Sequence, residues 1–194
     1  MEFDYAPYYC EENVYRMAGA LAAAGQLPGD AAAVFIANAG LSCAFAEQRA
    51  APPGEALLWD YHVVLLTGGT GGPDRDWKNA SPTRATLWDL DTRLDFPCPA
   101  DLYLARTFPE PLPEAYRPRF RAVPASRLLR EFSSDRRHMR GADGAWLQTP
   151  PAWPEVRGDA ARSSHELERI LNLDNPAWGP ILDLAEFRSV YLGL

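Results

Sequence analysis

The sequence has few cysteines, a single lysine and no long apolar segment, and each scarcity excludes a class of protein. Its 194 residues include three cysteines, Cys10, Cys43 and Cys98, with neither a Cys-x-x-Cys pair nor two histidines at zinc-finger spacing, so we expect reduced thiols and no structural zinc. The longest apolar stretches, such as AGALAAAG and AAAVFIA, are far shorter than the roughly 18 residues that span a bilayer. Lys78 is the sole lysine among 19 basic residues, and the net charge of −7 argues against a nucleic-acid partner.

The remaining composition is typical of a globular cytoplasmic protein. Hydrophobic residues make up 47% and charged residues 23% of the chain, close to the averages for folded domains. The opening segment MEFDYAPYYCEEN has no basic region followed by an apolar run, so we expect no signal peptide. We therefore expect one domain over residues 1–194, monomeric and cytoplasmic, with no nucleic-acid and no membrane partner.

Hydrophobic periodicity predicts an α+β fold. Apolar residues at helical spacing follow Glu11 and end at Gly25, which predicts a helix with Cys10 at or just before its first turn. Short apolar runs predict strands over residues 31–38, 42–50, 56–67 and 85–92. The third of these runs has apolar residues on both faces, which is typical of a covered central strand. We expect the fourth to pair with it as a hairpin.

Cys10 is the first candidate for chemistry, because the start of a helix suits a reactive thiol. The positive end of the helix dipole and the free backbone N–H groups lower a thiol pKa and supply donors for an oxyanion. The alternative is a buried cysteine that packs as a small hydrophobic residue, which is the role we assign to Cys43 and Cys98. The polar run EEN directly after Cys10 favours the reactive thiol.

His62 lies within the otherwise apolar string WDYHVVLL, where a buried imidazole needs a hydrogen-bond partner. It is either a core residue bonded to a backbone carbonyl or a general base held by a carboxylate. The string LWDLDT offers Asp89 and Asp91, which share a strand face, so periodicity does not choose between them. Cysteine, histidine and aspartate arranged in this way follow the logic of papain-like catalysis.

Six strings, in this order, resemble the protein N-terminal glutamine amidohydrolase family: YYCEEN, AVFIAN, WDYHVVLL, DLDTRLDFPCPADLY, YRPRFRAVPA and FSSDRRHM. The resemblance runs from about residue 8 to residue 146 and continues more weakly to the LDLAEF helix. It implies a papain- or transglutaminase-like α/β/α sandwich with a mainly antiparallel sheet. By motif it also implies a catalytic triad of Cys10, His62 and Asp89, which resolves the choice between the two aspartates.

The activity that the resemblance implies is hydrolysis of the side-chain amide of an N-terminal glutamine, in proteins or peptides with a free terminus, to glutamate and ammonia. His62, oriented by Asp89, keeps Cys10 as a thiolate that attacks the carboxamide carbon. The reaction needs no metal and no organic cofactor. The glycine-rich segment between WDYHVVLL and DLDT is longer than expected for the family, and is either a hairpin extension or a lid.

Recognition of a chain terminus requires a group that binds the α-ammonium, and a carboxylate at the closed end of the pocket suits this task. The candidates are Glu11 and Glu12 beside the nucleophile, Asp60 in WDYHV, and Asp135 in FSSDRRHM. Each has a structural alternative. Acidic residues in a first helical turn stabilise the helix dipole anyway, and Asp135 can cap a turn or pair with Arg136.

Other polar and aromatic residues of these strings are assigned to structure, surface or the core around the triad: Arg136, Arg137, His138, Trp59, Tyr61 and Trp88. Two other functions stay open at this stage. The first is a different acyl-transfer enzyme on the same scaffold, such as a peptidase, an internal-glutamine deamidase or a transglutaminase. The second is a catalytically silent binding module, which an intact triad disfavours.

Overall fold

A computed structural model describes residues 1–69 and 85–194. The helices are α1 (Cys10–Ala23), α2 (Ala100–Thr107), α3 (Ala125–Glu131), α4 (Leu167–Leu171) and α5 (Leu184–Leu192). The strands are β1 (Ala32–Ala37), β2 (Cys43–Phe45), β3 (Leu57–Trp59), β4 (Tyr61–Thr67), β5 (Thr86–Trp88), β6 (Cys98–Pro99), β7 (Arg119–Pro124), β8 (Ser133–Ser134) and β9 (Val156–Arg157). Short 3₁₀ helices occupy Glu114–Tyr116, Arg137–Met139 and Pro176–Trp178.

The main sheet has five strands in the order β6-β5-β4-β1-β7, and each neighbouring pair is antiparallel. β2 pairs with β3, and β8 with β9, in separate two-stranded ribbons. Helices therefore accompany a mainly antiparallel sheet, and the predicted α+β class is confirmed.

Helices cover both faces of the main sheet. Successive strand side chains point to opposite faces, so Phe35 and Val63 pack with residues of α1, α3 and α4. Val34 and Val64 pack on the other face with residues of α2 and α5. Burial on both faces explains why β1 and β4 are buried along their whole length.

The prediction of one strand over residues 56–67 is wrong, because the segment divides at Asp60. β3 pairs with β2, whereas β4 joins the main sheet beside β1. At the division, the Asp60 carboxylate accepts a hydrogen bond of 2.9 Å from the backbone N–H of Tyr61. Such local bonds are how aspartate favours turns over strand continuation. The division places His62 near the beginning of β4, at one end of the sheet.

Two further predicted strands are shorter than expected. Only β2 forms within residues 42–50, and only β5 within residues 85–92, although β5 does pair with β4 as predicted. Asp89 and Asp91 therefore follow β5 in a turn instead of sharing a strand face. The turn is closed by the backbone N–H of Asp91, which donates to Asp89 Oδ1 at 2.9 Å.

Most of the glycine-rich segment, residues 70–84, lies outside the described residues, so the choice between a hairpin extension and a lid stays open. Over residues 1–69 and 85–194, no helix has the length and apolar character needed to cross a bilayer.

Candidate active site

A pocket of about 220 Å³ opens where the start of α1, the β3–β4 junction and the turn after β5 meet. Its lining combines a thiol, an imidazole, two carboxylates and a mostly aromatic or apolar wall: Tyr8, Cys10, Trp59, Asp60, Tyr61, His62, Asp91, Met139, Leu147 and Gln148. Pockets for drug-sized ligands usually occupy roughly 300–1,000 Å³. This smaller pocket suits one amino-acid side chain.

Local packing holds Cys10 at the first position of α1. The Asn13 side chain bonds both the backbone N–H and the carbonyl of Ala6, each at 2.9 Å, and so fixes the loop before the helix. Tyr8 has a φ of 70°, a conformation that residues other than glycine rarely adopt, where the chain turns into α1. Cys10 is 9% exposed and lines the pocket.

His62, which lines the pocket together with Cys10, forms a buried pair with Asp89. The two side chains are 2% and 1% exposed, and His62 Nε2 lies 2.9 Å from Asp89 Oδ1. The other carboxylate oxygen of Asp89 accepts hydrogen bonds from the Tyr103 hydroxyl at 2.7 Å and from Gln48 Nε2 at 3.4 Å. Because Asp89 engages Nε2, the opposite ring nitrogen, Nδ1, is left for exchange of a proton with a reacting group.

Charge and burial act in opposite directions on this pair. Burial alone disfavours the imidazolium, but the Asp89 carboxylate and its hydrogen bond outweigh it and raise the pKa of His62. Burial likewise opposes ionisation of Asp89, yet His62, the Asp91 backbone N–H and the Tyr103 hydroxyl together lower the pKa of Asp89. The pair thus stabilises a proton on His62 once the ring receives one.

The expectation of a lowered pKa at Cys10 is wrong. Burial is the largest influence and raises the pKa of the Cys10 thiol well above its ordinary value, and the carboxylates of Glu11 and Asp91 raise it further. A backbone hydrogen bond with Val63 acts in the opposite direction. The position at the helix start was predictable, but the burial was not, and of the carboxylates that raise the pKa Glu11 lies in α1 itself whereas Asp91 and Asp60 come from other segments. Burial and the nearby carboxylates thus favour the protonated thiol.

Asp91 lines the pocket, whereas Asp89 lies behind His62. Asp91 Oδ1 accepts a hydrogen bond from the Tyr5 hydroxyl at 2.5 Å, and the carboxyl group is mostly buried. Burial, with a further contribution from Asp89, raises the pKa of Asp91. The structure therefore pairs His62 with Asp89 and leaves Asp91 facing the substrate space.

Glu11 and Glu12 point into different environments despite being neighbours in the first turn of α1. Glu11 is 1% exposed, accepts a hydrogen bond from the Tyr61 hydroxyl at 2.9 Å and has Oε1 3.4 Å from His138 Nε2. Burial is the main cause that raises the pKa of Glu11 to about 8. Burial also lowers the pKa of His138 to about 4, so this neighbourhood favours neutral forms of both groups.

Glu12 is bound to a buried arginine. Arg136 Nε lies 2.7 Å from Glu12 Oε1, and its NH2 group lies 2.8 Å from Oε2. The Trp153 indole N–H donates to Glu12 Oε2 at 2.7 Å. This arrangement links α1 to the segment after β8, in line with the structural role expected of Arg136. The prediction that Glu12 binds substrate gains no support from this geometry.

Asp60 and Asp135, the other two predicted ammonium-binding residues, lie in different places. Asp60 is exposed and lines the pocket. Asp135 pairs with Arg137 and Ser164, at 2.5 and 3.0 Å, and the bonds from Arg137 hold the pKa of Asp135 well below its ordinary range. Asp135 is not among the residues that line the pocket.

Aromatic residues near the triad do more than fill the core. The Trp59 ring stacks on the His62 ring at 6.0 Å and an interplanar angle of 11°, and both Trp59 and Tyr61 line the pocket, contrary to their assignment as core alone. Trp88 packs against Phe3, away from the lining residues.

Sequence reasoning did not single out four residues that line the pocket, Tyr8, Met139, Leu147 and Gln148, or three residues that hydrogen-bond Asp89 or Asp91. Tyr103 could have been predicted, because it is the last residue of the string DLDTRLDFPCPADLY that carries the resemblance. No motif marks Tyr5 or Gln48, which reach Asp91 and Asp89 across 86 and 41 residues of sequence.

His62, Asp89 and Asp91 also meet a spacing criterion for metal ligands, with one potential ligand atom from each within 4.8 Å of the others. Nε2 of His62 and Oδ1 of Asp89 already face each other at 2.9 Å. A cation bound by these atoms would have to displace the His62–Asp89 hydrogen bond. The imidazole can also accept a proton without help from a metal. The geometry therefore favours a direct His62–Asp89 pair over a bound cation.

An α+β protein whose pocket joins a thiol to a buried imidazole–carboxylate pair falls in the class of candidate thiol-dependent hydrolases. Comparison with known proteins identifies the family. A sequence profile for the family described as N-terminal glutamine amidase matches residues 5–191. The chain therefore belongs to the N-terminal glutamine amidase family and is an amidohydrolase, which confirms the resemblance carried by the six strings.

Individual relatives agree over most of the chain. A Bos taurus protein named protein N-terminal glutamine amidohydrolase is 34% identical over 187 residues, which cover 94% of this chain and 84% of the relative. The Homo sapiens protein of the same name is 33% identical over 187 residues, or 94% and 85% of the two chains. The Drosophila pseudoobscura pseudoobscura protein is 38% identical over 157 residues, or 78% and 71%.

Proposed function

We propose that this protein hydrolyses the side-chain amide of an N-terminal glutamine in proteins and peptides, and that Cys10, His62 and Asp89 carry the reaction. The observation that supports this most is the buried His62–Asp89 pair, 2.9 Å apart, with Cys10 and His62 lining one pocket. The names of the relatives supply the substrate class. A helix start that presents the cysteine beside antiparallel strands also favours the papain- or transglutaminase-like scaffold.

Formation of the acyl-enzyme begins from a protonated thiol. His62 Nδ1 takes the proton of Cys10 as the sulfur attacks the carboxamide carbon, and Asp89 stabilises the resulting imidazolium. The carbonyl oxygen becomes an oxyanion, which the backbone N–H of Cys10 at the start of α1 stabilises. The carbon–nitrogen bond then breaks, and His62 returns its proton to the departing nitrogen, which leaves as ammonia.

Hydrolysis of the thioester completes the cycle. Water attacks the thioester carbon while His62 removes one of its protons, and the carbon–sulfur bond breaks. The sulfur regains a proton from His62, which restores the thiol and neutral imidazole. The balance is one water consumed, with glutamate and ammonia formed, and no step requires a metal or an organic cofactor.

The central experiment measures ammonia release from a peptide series that differs only in the first residue. We expect turnover of the glutamine-initiated peptide and background release from peptides that begin with asparagine or carry glutamine internally. Cys10→Ala should abolish release, whereas Cys43→Ala, the matched control at a buried cysteine outside the pocket, should retain it. Release by Cys10→Ala above background would refute the assignment of the nucleophile.

The same experiment separates the alternative functions. Equal release from internal and N-terminal glutamine would favour a general glutamine deamidase on this scaffold. Absence of release from every peptide, together with equal labelling of the three cysteines by a thiol-reactive probe, would favour a binding module.

A further inference from the structure

The described lining of the pocket is acidic, although the Arg49 guanidinium, which does not line the pocket, is close enough to lower the pKa of Asp91 in part. Among the described residues that line it, Asp60 and Asp91 are acidic and none is a lysine or an arginine. Surface carboxylates usually gain cationic neighbours or full hydration, but Asp91 has been largely removed from water. A pocket of this kind favours an occupant with a positive charge.

Asp91 is also the more rigidly held of the two carboxylates. The Tyr5 hydroxyl holds Oδ1 at 2.5 Å, the backbone N–H bonds Asp89 at 2.9 Å, and the backbone carbonyl accepts from the N–H of Arg49 at 2.8 Å. Within residues 1–69 and 85–194, no side chain or backbone group donates a hydrogen bond to Asp91 Oδ2, which is therefore available to a ligand.

We propose that Asp91 binds the α-ammonium of the substrate's N-terminal residue and thereby selects free chain termini. The inference rests on the proposed function, since it assigns a residue to the recognition that function requires. An ammonium at Asp91 Oδ2 gains a charge-assisted hydrogen bond in a partly buried site. Asp60, exposed at the opening, adds attraction for the same charge.

The span of glutamine suits this placement. Four bonds separate the α-nitrogen from the carboxamide carbon, a distance of roughly 5 Å in an extended side chain by standard bond lengths. A carboxylate oxygen of Asp91 lies within 4.8 Å of a ring nitrogen of His62, and Cys10 lines the same pocket, so a group bound to Asp91 shares this small pocket with the acid–base group and the thiol. Asparagine is one methylene shorter and leaves its carboxamide carbon short of the thiol.

Charge at Asp91 also acts on the nucleophile. Burial and Glu11 raise the pKa of Cys10, and Asp91 adds to that effect. A bound ammonium compensates the Asp91 charge and so removes one of the influences that keep the thiol protonated. Substrates without the ammonium therefore lose both binding and activation.

The test compares two peptides that are identical except at the terminus, one beginning with glutamine and one with a 4-carbamoylbutanoyl group, which lacks only the α-amino group. The readout is the ratio of kcat/KM for the amino peptide to kcat/KM for the des-amino peptide. We expect wild type to prefer the amino peptide by about 30-fold or more, as is typical for a desolvated charge pair. Asp91→Asn should reduce that preference to below about threefold.

A second readout separates recognition from damage to the fold. Alkylation of Cys10 by iodoacetamide without substrate, followed by mass spectrometry at pH 8, should be faster in Asp91→Asn than in wild type, because a negative charge near the thiol has been removed. A structural defect that loosens the fold would also speed alkylation of the buried Cys43 and Cys98, whereas loss of the Asp91 charge should act on Cys10 alone. Asp95→Asn, which makes the same change at an exposed position outside the pocket, is the matched control and should match wild type in both assays.

Asp91→Glu provides a variant that keeps the charge. The carboxylate then extends one methylene further into the pocket, so the preference for glutamine over asparagine at the terminus should fall while the preference for an ammonium remains.

Each outcome bears on a particular claim. If wild type turns over neither peptide, the proposed function fails. If wild type discriminates and folded Asp91→Asn keeps the same ratio, Asp91 does not bind the ammonium. Loss of discrimination in Asp60→Asn alone would assign the role to Asp60 and overturn the inference. If Asp91→Asn does not fold, an unchanged glutamine-to-asparagine preference in Asp91→Glu would overturn it.

Discussion

Two buried ion pairs flank the start of α1, and they differ in the space around them. His62–Asp89 and Arg136–Glu12 both have side chains that are at most 7% exposed, with donor–acceptor distances of 2.9 and 2.7 Å. Glu12 and Arg136 are surrounded by protein groups, including the Trp153 indole and backbone carbonyls. His62, in contrast, lines the pocket.

The difference teaches that burial and pairing alone do not mark a catalytic group. A pair whose donors and acceptors are all satisfied within the protein has no capacity left for a reaction. The His62–Asp89 pair keeps one imidazole nitrogen for proton exchange, and its charge balance stabilises the protonated ring. We therefore expect changes at this pair to act on rate, and changes at Glu12–Arg136 to act on stability.

The largest expected effect is the fall in kcat of the Asp89→Asn variant. Asparagine keeps the size of the side chain but cannot stabilise the imidazolium and favours the wrong tautomer, a change that costs about 10⁴ in kcat in a serine protease. We expect a loss of that order with both the amino and des-amino peptides, measured by ammonia release. The thermal unfolding midpoint should fall less than in Glu12→Gln, because His62 can lose its proton and leave no buried charge unpaired, whereas arginine cannot. An equal loss on both peptides in Asp91→Asn, with wild-type rate in Asp89→Asn, would reverse the roles of the two aspartates.

The next largest effect is the fall in the free energy of unfolding of the Glu12→Gln variant. This change leaves the buried Arg136 guanidinium without its carboxylate, and breaking one partner of a buried pair typically costs about 3–5 kcal/mol. Denaturant unfolding followed by tryptophan fluorescence should detect the loss, while kcat of the folded fraction stays near wild type. The double variant Glu12→Gln with Arg136→Met should recover part of the free energy of unfolding, because it removes the unpaired charge. A large fall in kcat with unchanged stability would instead place Glu12 in the reaction.

The sequence predicts the candidate reacting residues better than it predicts the strand ends and the long-range contacts around them. The helix at Cys10, the central strands and the Cys–His–Asp set follow from periodicity, turn residues and a six-string resemblance, all of which are local signals. Strand ends were harder to predict from sequence. The break at Asp60 depends on the hydrogen bond from the Tyr61 backbone N–H to the Asp60 carboxylate, and on the pairing of β3 and β4 with different strands.

Contacts between distant segments were beyond the sequence. Glu12 meets Arg136 across 124 residues, and Tyr5 meets Asp91 across 86. The sequence does not distinguish the environments of Glu11 and Glu12, because their partners come from other segments of the chain. The raised pKa of Cys10 has the same origin, since burial and acidic groups from several segments outweigh the helix dipole.

A smaller effect concerns the pH dependence of stability at Glu11, which neighbours Glu12 but has no arginine or lysine partner among the described residues. Its pKa is raised from 4.5 to about 8, mainly by burial, so the folded state retains a proton that the unfolded state loses. Stability therefore falls as pH rises through this window, by at most about 1.4 kcal/mol per pH unit. Glu11→Gln should flatten the dependence in denaturant unfolding at pH 5.5, 6.5 and 7.5, whereas the exposed Glu2→Gln should not. Parallel curves for wild type and Glu11→Gln would show that Glu11 ionises normally.

The smallest effect is expected at Asp135, where the ion pair lies near the surface. Its partner Arg137 is 56% exposed, and exposed pairs typically contribute about 0.2–1 kcal/mol. We expect Asp135→Asn to lower the free energy of unfolding by no more than that and to leave kcat/KM for the amino peptide within about twofold of wild type. The pair with Arg137 is also the main cause that lowers the pKa of Asp135, so this small contribution should fade at acid pH as the carboxyl takes up a proton. A selective rise in KM for the amino peptide, with no change for the des-amino peptide, would restore Asp135 as an ammonium-binding residue and would require the segment after β8 to reach the pocket when substrate binds.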